Sequence, residues 1–428
     1  MVPTGRAALL VALGVPVVAL VPVHATWLGW LAFVVLACVV DSRLAASPRD
    51  VRVRRRVPGA VRLGEPATSE LTLTNTSGRR LRALVRDAWQ PSAGAVENRH
   101  TVDLPDGESV RLRTPLRATR RGDREADRVT IRSFGPVGLA ARQASLDVPG
   151  RLRVLPEFAS RKHLPSRLAR LRELDGRAAV QVRGQGTEFD SLREYVIGDD
   201  VRSIDWRATA RRSEVVVRTW RPERDRRVLI LLDTARTSAL RVGDAPRIDA
   251  SIEAALLLSA LASHAGDRVE LVAFDRKTRA RVAGAHGARL MPTLAEALAG
   301  VEPELTETDW TGAVAVVQQR LSQRSLVVLL TAIEPSAAES GLLEAVARLD
   351  HQVVVASVRD PEVDELRAGR ADVHEVFDAA AAERGELERA AVVQRLRQRG
   401  AEVVDALPEN LAPALADAYL ALKAAGRL

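Results

Sequence analysis

Cysteine, lysine and aromatic residues are scarce in this 428-residue chain. The single cysteine, Cys38, excludes an internal disulfide framework and any metal site built from several cysteines. Only three of the 63 basic residues are lysine, and aromatic residues make up 3% of the chain. Proteins that bind nucleic acid usually combine basic residues with stacking aromatics, so the net charge of +8 does not by itself indicate such binding. We expect no nucleic-acid partner.

The positive charge is concentrated in the first part of the chain. Residues 41–150 hold 21 basic and 13 acidic side chains, whereas residues 229–428 hold 22 and 30. A chain of this length is too long for one compact core and predicts two or three domains. We place their boundaries at 1–42, 43–157, 158–226 and 227–428.

Charged side chains are absent from Ala7 to Val40. This run is too long for one membrane-spanning helix, which needs roughly 20 residues, and it predicts two, at about 7–22 and 26–40. Six arginines follow within residues 43–56, and by the positive-inside rule they place the bulk of the chain in the cytoplasm, at the inner or plasma membrane. Cleavage of Met1–Ala25 as a signal peptide is the alternative, and it leaves the same orientation.

Short alternating strands separated by turns characterise residues 43–157. Ser69–Asn75 alternates polar and apolar residues, and Leu81–Arg86 follows a turn at 76–78. Such spacing is typical of an antiparallel β-sandwich of immunoglobulin-like size.

Continuous apolar runs alternate with helical patterns from residue 227 onward. Arg227–Leu232 is the first run, and further strands are predicted at 269–274, 326–330, 353–358 and 402–404. Helices are predicted at 248–264, 291–300, 311–323, 336–349, 383–399 and 410–425. This order predicts a doubly wound parallel sheet, whose ligands bind beyond the carboxyl ends of the strands.

Between these two domains, residues 184–220 mix charged and apolar side chains without a single period. A turn is predicted at Ile197–Asp200, where Gly198 permits a positive φ, and a helical turn is predicted after Asp205. Val215–Val217 is predicted to be a strand that joins the parallel sheet or lies at its edge. The residues singled out here are Asp199, Asp200, Arg202, Asp205, Trp206 and Arg207.

Three interpretations of this segment remain open. The first is an interdomain clamp in which Asp199 and Asp205 pair with Arg202 and Arg207. The second is a docking surface for a partner protein, and the third is an active site. Catalysis is disfavoured because the segment has no cysteine and no histidine, and because neighbouring arginines keep the carboxylates ionised.

The segment 184–220 closely resembles the signature of the bacterial "domain of unknown function 58" family. Arg120-Arg121-Gly122 and Ser133–Leu139 resemble that family's motifs in the β-rich module. The resemblance implies two membrane helices, an immunoglobulin-like β domain and a von Willebrand factor A-like domain. It also implies an association with MoxR-type AAA+ ATPases and with transglutaminase-like membrane proteins.

Von Willebrand factor A domains hold Mg²⁺ on an Asp-x-Ser-x-Ser motif and two further loops. The matching residues here are Asp233, Thr237 and Thr308, while Ala235 and Ala332 stand where the family supplies oxygen ligands. Asp309 or Glu334 could reach the site instead. We interpret the set as a degenerate remnant, expect no cofactor, and keep Mg²⁺ as an alternative.

The resemblance favours a non-enzymatic, membrane-anchored scaffold or adaptor that works with such an ATPase. A metal-dependent hydrolase or Mg²⁺-dependent ligand-binding domain at Asp233 and Thr308 is the alternative from another class. Nucleic-acid binding through the basic half is the third, and it predicts salt-dependent retention on DNA.

Overall fold

The computed structural model of the chain describes residues 1–21, 23–181, 188–197, 199–211, 214–221, 226–334 and 341–428. These residues form two compact units, Met1–Glu157 and Phe158–Leu428. Each unit contains its own hydrophobic core.

Helices open the first unit and strands make up the rest of it. In chain order its elements are β1 (Val2–Pro3), α1 (Gly5–Ala12), α2 (Gly14–Leu20), α3 (His24–Leu44), β2 (Val51–Arg56), β3 (Ala60–Arg62), β4 (Ala67–Asn75), β5 (Leu81–Trp89), β6 (Arg99–Leu104), β7 (Ser109–Leu116), β8 (Gly122–Phe134), β9 (Ala140–Asp147) and β10 (Arg151–Leu155).

One apolar stretch among the described residues, His24–Asp50, is long and apolar enough to cross a membrane, with a mean hydropathy of 1.8. It contains α3. The preceding apolar segment, Gly5–Leu20, is shorter and is divided between α1 and α2 rather than forming the single helix predicted at 7–22. Pro16 accounts for the division, because it has no N–H group to donate to the carbonyl of Ala12.

Two sheets in the first unit share one apolar core. The smaller sheet has the order β2-β4-β7, and the larger joins β1, β9, β8, β10 and β3 in that order, with β5 and β6 attached through β8. Alternate residues of β4, such as Leu71 and Leu73, pack in the same cluster as Val85 of β5 and Ile131 of β8. The polar–apolar alternation seen in the sequence therefore corresponds to one buried and one outward face.

Asp41, near the end of α3, is buried and holds the β8–β9 turn. Its carboxylate accepts hydrogen bonds from the backbone N–H groups of Val137 at 2.9 Å, Leu139 at 2.7 Å and Ala140 at 2.9 Å. A Cβ atom at Gly135 would lie 2.3 Å from the Asp41 carboxyl carbon, so only glycine fits there. The turn is thereby fixed to the end of the apolar helix.

The first residues of the chain are part of the same assembly. Val2 pairs with Ala141 in the antiparallel β1–β9 ladder. The Thr4 hydroxyl donates to the carbonyl of Gly138 at 2.6 Å, and the Arg6 guanidinium donates to the carbonyl of Val137 at 2.8 Å. Both ends of the helical segment therefore meet at the larger sheet.

The second unit alternates strands and helices. Its elements are α4 (Leu164–Gln181), β11 (Glu188–Glu194), α5 (Trp206–Thr209), β12 (Val216–Arg221), β13 (Arg227–Asp233), β14 (Arg241–Val242), β15 (Ala245–Pro246), α6 (Arg247–His264), β16 (Arg268–Phe274), β17 (Thr278–Val282), α7 (Leu290–Ala299), α8 (Trp310–Arg320), β18 (Leu326–Leu330), α9 (Leu342–Arg348), β19 (Gln352–Val358), α10 (Pro361–Ala368), α11 (Val373–Gln398), β20 (Glu402–Ala406) and α12 (Pro408–Ala424).

A six-stranded sheet with the order β17-β16-β13-β18-β19-β20 forms the centre of this unit. All neighbouring strands are parallel except β17, which runs antiparallel to β16 at one edge. Ile230 and Leu232 of β13 pack in a cluster with α4, α6, α7 and α12, whereas Leu229 and Leu231 pack with α8, α9 and α11. Helices therefore cover both faces, which explains why the central strands β13, β18 and β19 are mostly apolar.

The prediction that Val215–Val217 joins the parallel sheet or its edge was wrong. Val216 and Val217 belong to β12, which pairs antiparallel with β11 in a separate two-stranded sheet. Arg193 lies opposite Val217, and Glu194 lies opposite Val216. Because β11 satisfies the backbone groups of β12 locally, the edges of the six-stranded sheet remain β17 and β20.

Candidate functional site

The β11–β12 hairpin carries the charged segment singled out in the sequence. Beyond its strands, the backbone N–H of Tyr195 donates to the carbonyl of Val215 at 2.8 Å, and that of Asp205 donates to the carbonyl of Val216 at 3.0 Å. The connection between the strands is thus tied back to β12 at two points. We call the described residues 195–197, 199–211 and 214–215 the signature loop.

Asp199 fixes the beginning of the signature loop. Its carboxylate accepts a hydrogen bond from the Arg193 guanidinium at 2.5 Å and another from the backbone N–H of Val196 at 2.9 Å. These bonds, first the one from Arg193 and then the one from Val196, lower the pKa of Asp199. The predicted turn is therefore held by an aspartate, while the predicted positive φ at Gly198 lies outside the described residues.

Asp200 and Asp205 each begin a short helical turn. Asp200 accepts from the backbone N–H of Arg202 at 2.9 Å. Asp205 accepts from the backbone N–H groups of Arg207 and Ala208, both at 3.0 Å, and from the Arg218 guanidinium at 2.8 Å. Side-chain oxygens in this role satisfy N–H groups that a helix start leaves free.

These contacts give the two aspartates partners other than those proposed for the clamp. Asp199 pairs with Arg193 and Asp205 pairs with Arg218. Of the two proposed arginines, Arg207 reaches Asp205 only through its backbone N–H, and the backbone N–H of Arg202 donates to Asp200 instead. The pKa of Asp205 is lowered, chiefly by the bond from Ala208 and next by that from Arg218. Ionised, fully engaged carboxylates are poorly suited to accept or deliver a proton at neutral pH.

Large apolar side chains stand exposed on this braced loop. Ile197 is 96% exposed and Trp206 is 66% exposed, and Val196 and Val201 are exposed as well. The valines of β12, by contrast, are buried: Val216 and Val217 each retain 2% of their surface. Tryptophan and arginine are among the residues enriched at the centres of protein–protein contacts.

A second candidate site lies at the carboxyl end of the parallel sheet. Asp233 ends β13 and is 2% exposed. Its Oδ1 atom accepts hydrogen bonds from the backbone N–H of Ala235 and from the Thr308 hydroxyl, both at 2.9 Å. Its Oδ2 atom accepts one from the Thr331 hydroxyl at 2.6 Å. Thus Asp233 and Thr308 meet as the sequence predicts.

Burial raises the pKa of Asp233, and the three hydrogen bonds oppose this rise without cancelling it. The negative charge of nearby Asp275 adds to the increase. The neutral carboxyl is therefore favoured more strongly here than in water.

Thr331 and Asp275 were missed in the sequence. Thr331 directly follows β18 and donates its hydroxyl to Asp233, one residue before Ala332. Asp275 follows β16, is fully buried, and accepts from Arg279 at 2.5 Å and from the Thr234 hydroxyl at 3.0 Å. Although burial raises its pKa, these and two backbone hydrogen bonds outweigh that effect and lower it. Both residues directly follow a buried strand, and this position could have identified them in the sequence.

Each of the other proposed oxygen ligands has a contact away from Asp233. Thr237 contributes its backbone carbonyl to Arg247 at 3.3 Å, and Glu334 pairs with the same arginine at 2.6 Å. Asp309 accepts from the backbone N–H of Gly312 at 2.9 Å and begins α8. Each side chain or carbonyl already serves another contact.

These residues do not fit a bound Mg²⁺. Hard cations require several oxygen ligands, usually more than one of them charged. Here a single carboxylate has both oxygens occupied by protein donors, and Arg279 neutralises the neighbouring Asp275. Across the described part of the chain, no group of three or more His, Cys, Asp or Glu side chains is arranged to hold a metal ion.

Comparison with known families gives one match that covers half of the chain. The family model described as "Protein of unknown function DUF58" matches residues 191–405. The match begins in the signature hairpin and runs through five strands of the six-stranded sheet into β20.

Curated relatives include uncharacterized proteins of Mycobacterium tuberculosis and Mycobacterium bovis. Each is 26% identical over 192 residues, which is 43% of this chain and 59% of the relative. The matched region thus spans less than two thirds of the length of these relatives.

Similar solved structures include native alpha-2-macroglobulin from Escherichia coli, with 22% identity over 26% of this chain and 17% of that chain, and a TM-score of 0.22. A CARDB domain from Pyrococcus furiosus has 18% identity over 24% of this chain and 92% of that chain, with a TM-score of 0.19. At these scores the likeness supports no inference about fold or function.

Proposed function

Because the chain belongs to the DUF58 family of proteins of unknown function, we propose that it is a membrane-anchored, cytoplasm-facing scaffold or adaptor without enzymatic activity. Its partner in this proposal is an AAA+ ATPase of the MoxR type, together with a transglutaminase-like membrane protein. The observation that carries the proposal is the exposure of Ile197 and Trp206 on a loop fixed by two aspartate–arginine pairs.

The proposed anchor consists of two membrane-crossing segments. α3 has 21 residues, and at about 1.5 Å per residue it extends roughly 32 Å, close to the ~30 Å hydrocarbon core of a bilayer. The segment formed by α1 and α2 is shorter, and local thinning of the bilayer accommodates such segments. The arginines that follow α3 support an orientation with the two units in the cytoplasm.

In this proposal the first unit is an immunoglobulin-like sandwich and the second a von Willebrand factor A-like domain. The parallel sheet covered by helices on both faces supports the second assignment. The Asp233 network would then replace a metal site by hydrogen bonds, so that the loops at this edge keep their positions without a cation.

The signature loop is suited to docking because it loses little freedom on binding. Asp199, Asp200 and Asp205 restrain its backbone in the free protein, so less conformational entropy is lost when a partner binds. Truncation of a central tryptophan in such a contact commonly weakens binding by about 2 kcal/mol or more. That corresponds to roughly a 30-fold increase in Kd.

The test uses the full-length protein in detergent with the purified MoxR-type ATPase of the same organism. We expect direct binding by biolayer interferometry, weakened at least tenfold by Trp206→Ala and by Ile197→Ser. Leu305→Ser, at another exposed apolar side chain of the second unit, is the matched control. Failure of the intact protein to bind the ATPase, or equal binding by all variants, would contradict the proposal.

A further inference from the structure

A cavity of about 590 Å³ lies at the amino ends of β13 and β16, within the second unit. Arg227 begins β13, Arg268 begins β16, and both line the cavity. Further lining comes from Ser263 near the end of α6 and from residues 284–287, between β17 and α7. The cavity is thus at the opposite end of the strands from Asp233. Small-molecule sites typically occupy about 300–1,000 Å³, so its volume suits one such ligand.

Part of the cavity lining is apolar. Four of the lining residues are both apolar and buried: Val228, Val269, Leu290 and Leu321. The loop beside them turns at Gly284 and Gly287, whose φ values of 74° and 57° suit glycine. These two glycines place backbone rather than bulky side chains along the cavity. The lining therefore offers an apolar surface with room beside it, as sites for organic ligands do.

Two arginines lie side by side at this end of the sheet. Arg227 and Arg268 are register partners in the parallel β13–β16 ladder, and both are exposed. Among the described residues, no ion pair involves Arg227. Like charges at neighbouring positions of a sheet repel each other, and an anion bound beside them offsets that repulsion. His286 adds a third side chain with nitrogen atoms to the same lining.

The acidic residues among the described lining are already paired with cations. The Lys423 ammonium contacts the carboxylate of Asp267 at 3.5 Å. Glu270 accepts from the guanidinium groups of Arg281 and Arg320, each at 3.0 Å. Because these cations come from outside the lining, the two carboxylates do not cancel the charge of its arginines. The electrostatic field in the cavity therefore favours an anion.

We propose that this cavity binds a small phosphate monoester with an apolar body. Its phosphate group contacts Arg227 and Arg268, since guanidinium forks match phosphate oxygens, and its body contacts Val228, Val269 and Leu290. A phosphate monoester carries about −1.5 to −2 charges at pH 7, so it suits two neighbouring guanidinium groups better than a carboxylate does. The site is separate from the signature loop and is independent of the ATPase assignment.

The probe is 1-naphthyl phosphate, added to the full-length protein in detergent. Binding is followed by hydrogen exchange of the amides of residues 283–290, which a ligand in the cavity should slow. Because the signal comes from one segment, partition of the probe into micelles does not produce it. Inorganic phosphate lacks the apolar body and 1-naphthol lacks the charge. We expect each of these two to need at least tenfold higher concentration for the same effect.

Variants separate this cavity from non-specific attraction between charges. Arg227→Gln removes one guanidinium group and should weaken 1-naphthyl phosphate at least tenfold, with an unchanged melting temperature. Ser263→Phe keeps every charge and adds bulk to the lining, and we expect the same loss. Arg276→Gln is the matched control, because Arg276 is exposed and lies just beyond the other end of β16. It should bind as the wild type does.

Several outcomes overturn the proposal. One is unchanged exchange of residues 283–290 at millimolar 1-naphthyl phosphate, and another is equal binding by Arg227→Gln and the wild type. Inorganic phosphate that acts at the same concentration as the ester would show a plain anion site, and 1-naphthol that does so would show an apolar site. If Ser263→Phe does not fold, Arg227→Gln with its control decides the question alone.

Discussion

The hydrogen-bond network at Asp233 leads to a prediction that separates a structural carboxyl from a metal ligand. Replacing Asp233 by Asn keeps a carbonyl oxygen for the N–H of Ala235 and the Thr308 hydroxyl. The new amide N–H₂ faces the Thr331 hydroxyl, which can rotate to accept. We therefore expect Asp233→Asn to be as stable as the wild type to within about 1 kcal/mol.

Replacing Asp233 by Ala removes all three acceptor contacts. The N–H of Ala235 and the hydroxyl of Thr331 are buried, and an unsatisfied buried polar group costs about 1–3 kcal/mol. The total cost of these unsatisfied groups is reduced because burial also disfavours the wild-type carboxyl. We therefore expect the free energy of unfolding to fall by about 3 kcal/mol. By the same reasoning Thr331→Val should lose about 1–2 kcal/mol.

Hydrogen exchange followed by mass spectrometry measures this loss locally in the full-length protein. A decrease of about 3 kcal/mol corresponds to roughly 100-fold faster exchange of the amides of β13. Asp233→Asn should exchange at nearly the wild-type rate. Millimolar Mg²⁺ should leave exchange unchanged in all variants, since a ligand bound by the native state would slow it.

The pH dependence has a definite sign. Because the folded-state pKa of Asp233 is raised, the folded protein retains the proton at a pH where the unfolded chain has released it. The contribution of this group to stability is therefore greatest below its unfolded pKa and declines as the pH rises through the raised value. Asp233→Asn should lack this decline. Slowed exchange in Mg²⁺ that Asp233→Asn abolishes would refute the reasoning.

Three other features are testable in the same way. Asp41→Ala should destabilise the β8–β9 turn by about 3 kcal/mol, since it removes three acceptor contacts, and exchange of the amides of 137–140 should accelerate accordingly. Intact-mass measurement of the purified protein should show that Met1–Ala25 is retained, because Val2 and Pro3 pair with β9; a mass lacking these residues would contradict the β1 pairing. Asp205→Ala should speed exchange of the Arg207 and Ala208 amides. The pKa of Asp205 is lowered in the folded protein. The stabilisation by its carboxylate is therefore present above the unfolded-state pKa and is lost as the pH falls through the folded-state pKa. Asp205→Ala should not show this loss of stability at low pH.

In the second unit, the buried strands and the position of the candidate site could be predicted from the sequence. The central strands of its sheet are almost continuously apolar because helices cover both faces, and a run such as Val228–Leu232 is typical of a strand buried in this way. The aspartate at the end of that run also stands where such sheets place their polar residues. Its contact with Thr308 follows from the loops being neighbours at one edge.

Hydrogen bonds between residues that lie far apart along the chain could not be predicted from the sequence. Thr331 and Asp233 are 98 residues apart, as are Asp41 and Leu139, and no local pattern relates them. β12 was assigned to the wrong sheet for a related reason. A short run of valines indicates a strand but not which backbone it pairs with, and the pairing is decided by β11, whose charged sequence hides its strand character.

The start of α11 was also not predicted from the sequence. A helix was predicted at 383–399, whereas α11 begins at Val373, with Asp372 accepting from the N–H of Glu375 at 2.9 Å. A search for one apolar face fails over the first turns because Val373 and Phe377 lie opposite the buried side. The two faces cancel in any measure of a single hydrophobic direction. The outward apolar side chains obscured the start of the helix in the sequence, and none of them belongs to the apolar clusters of the second unit.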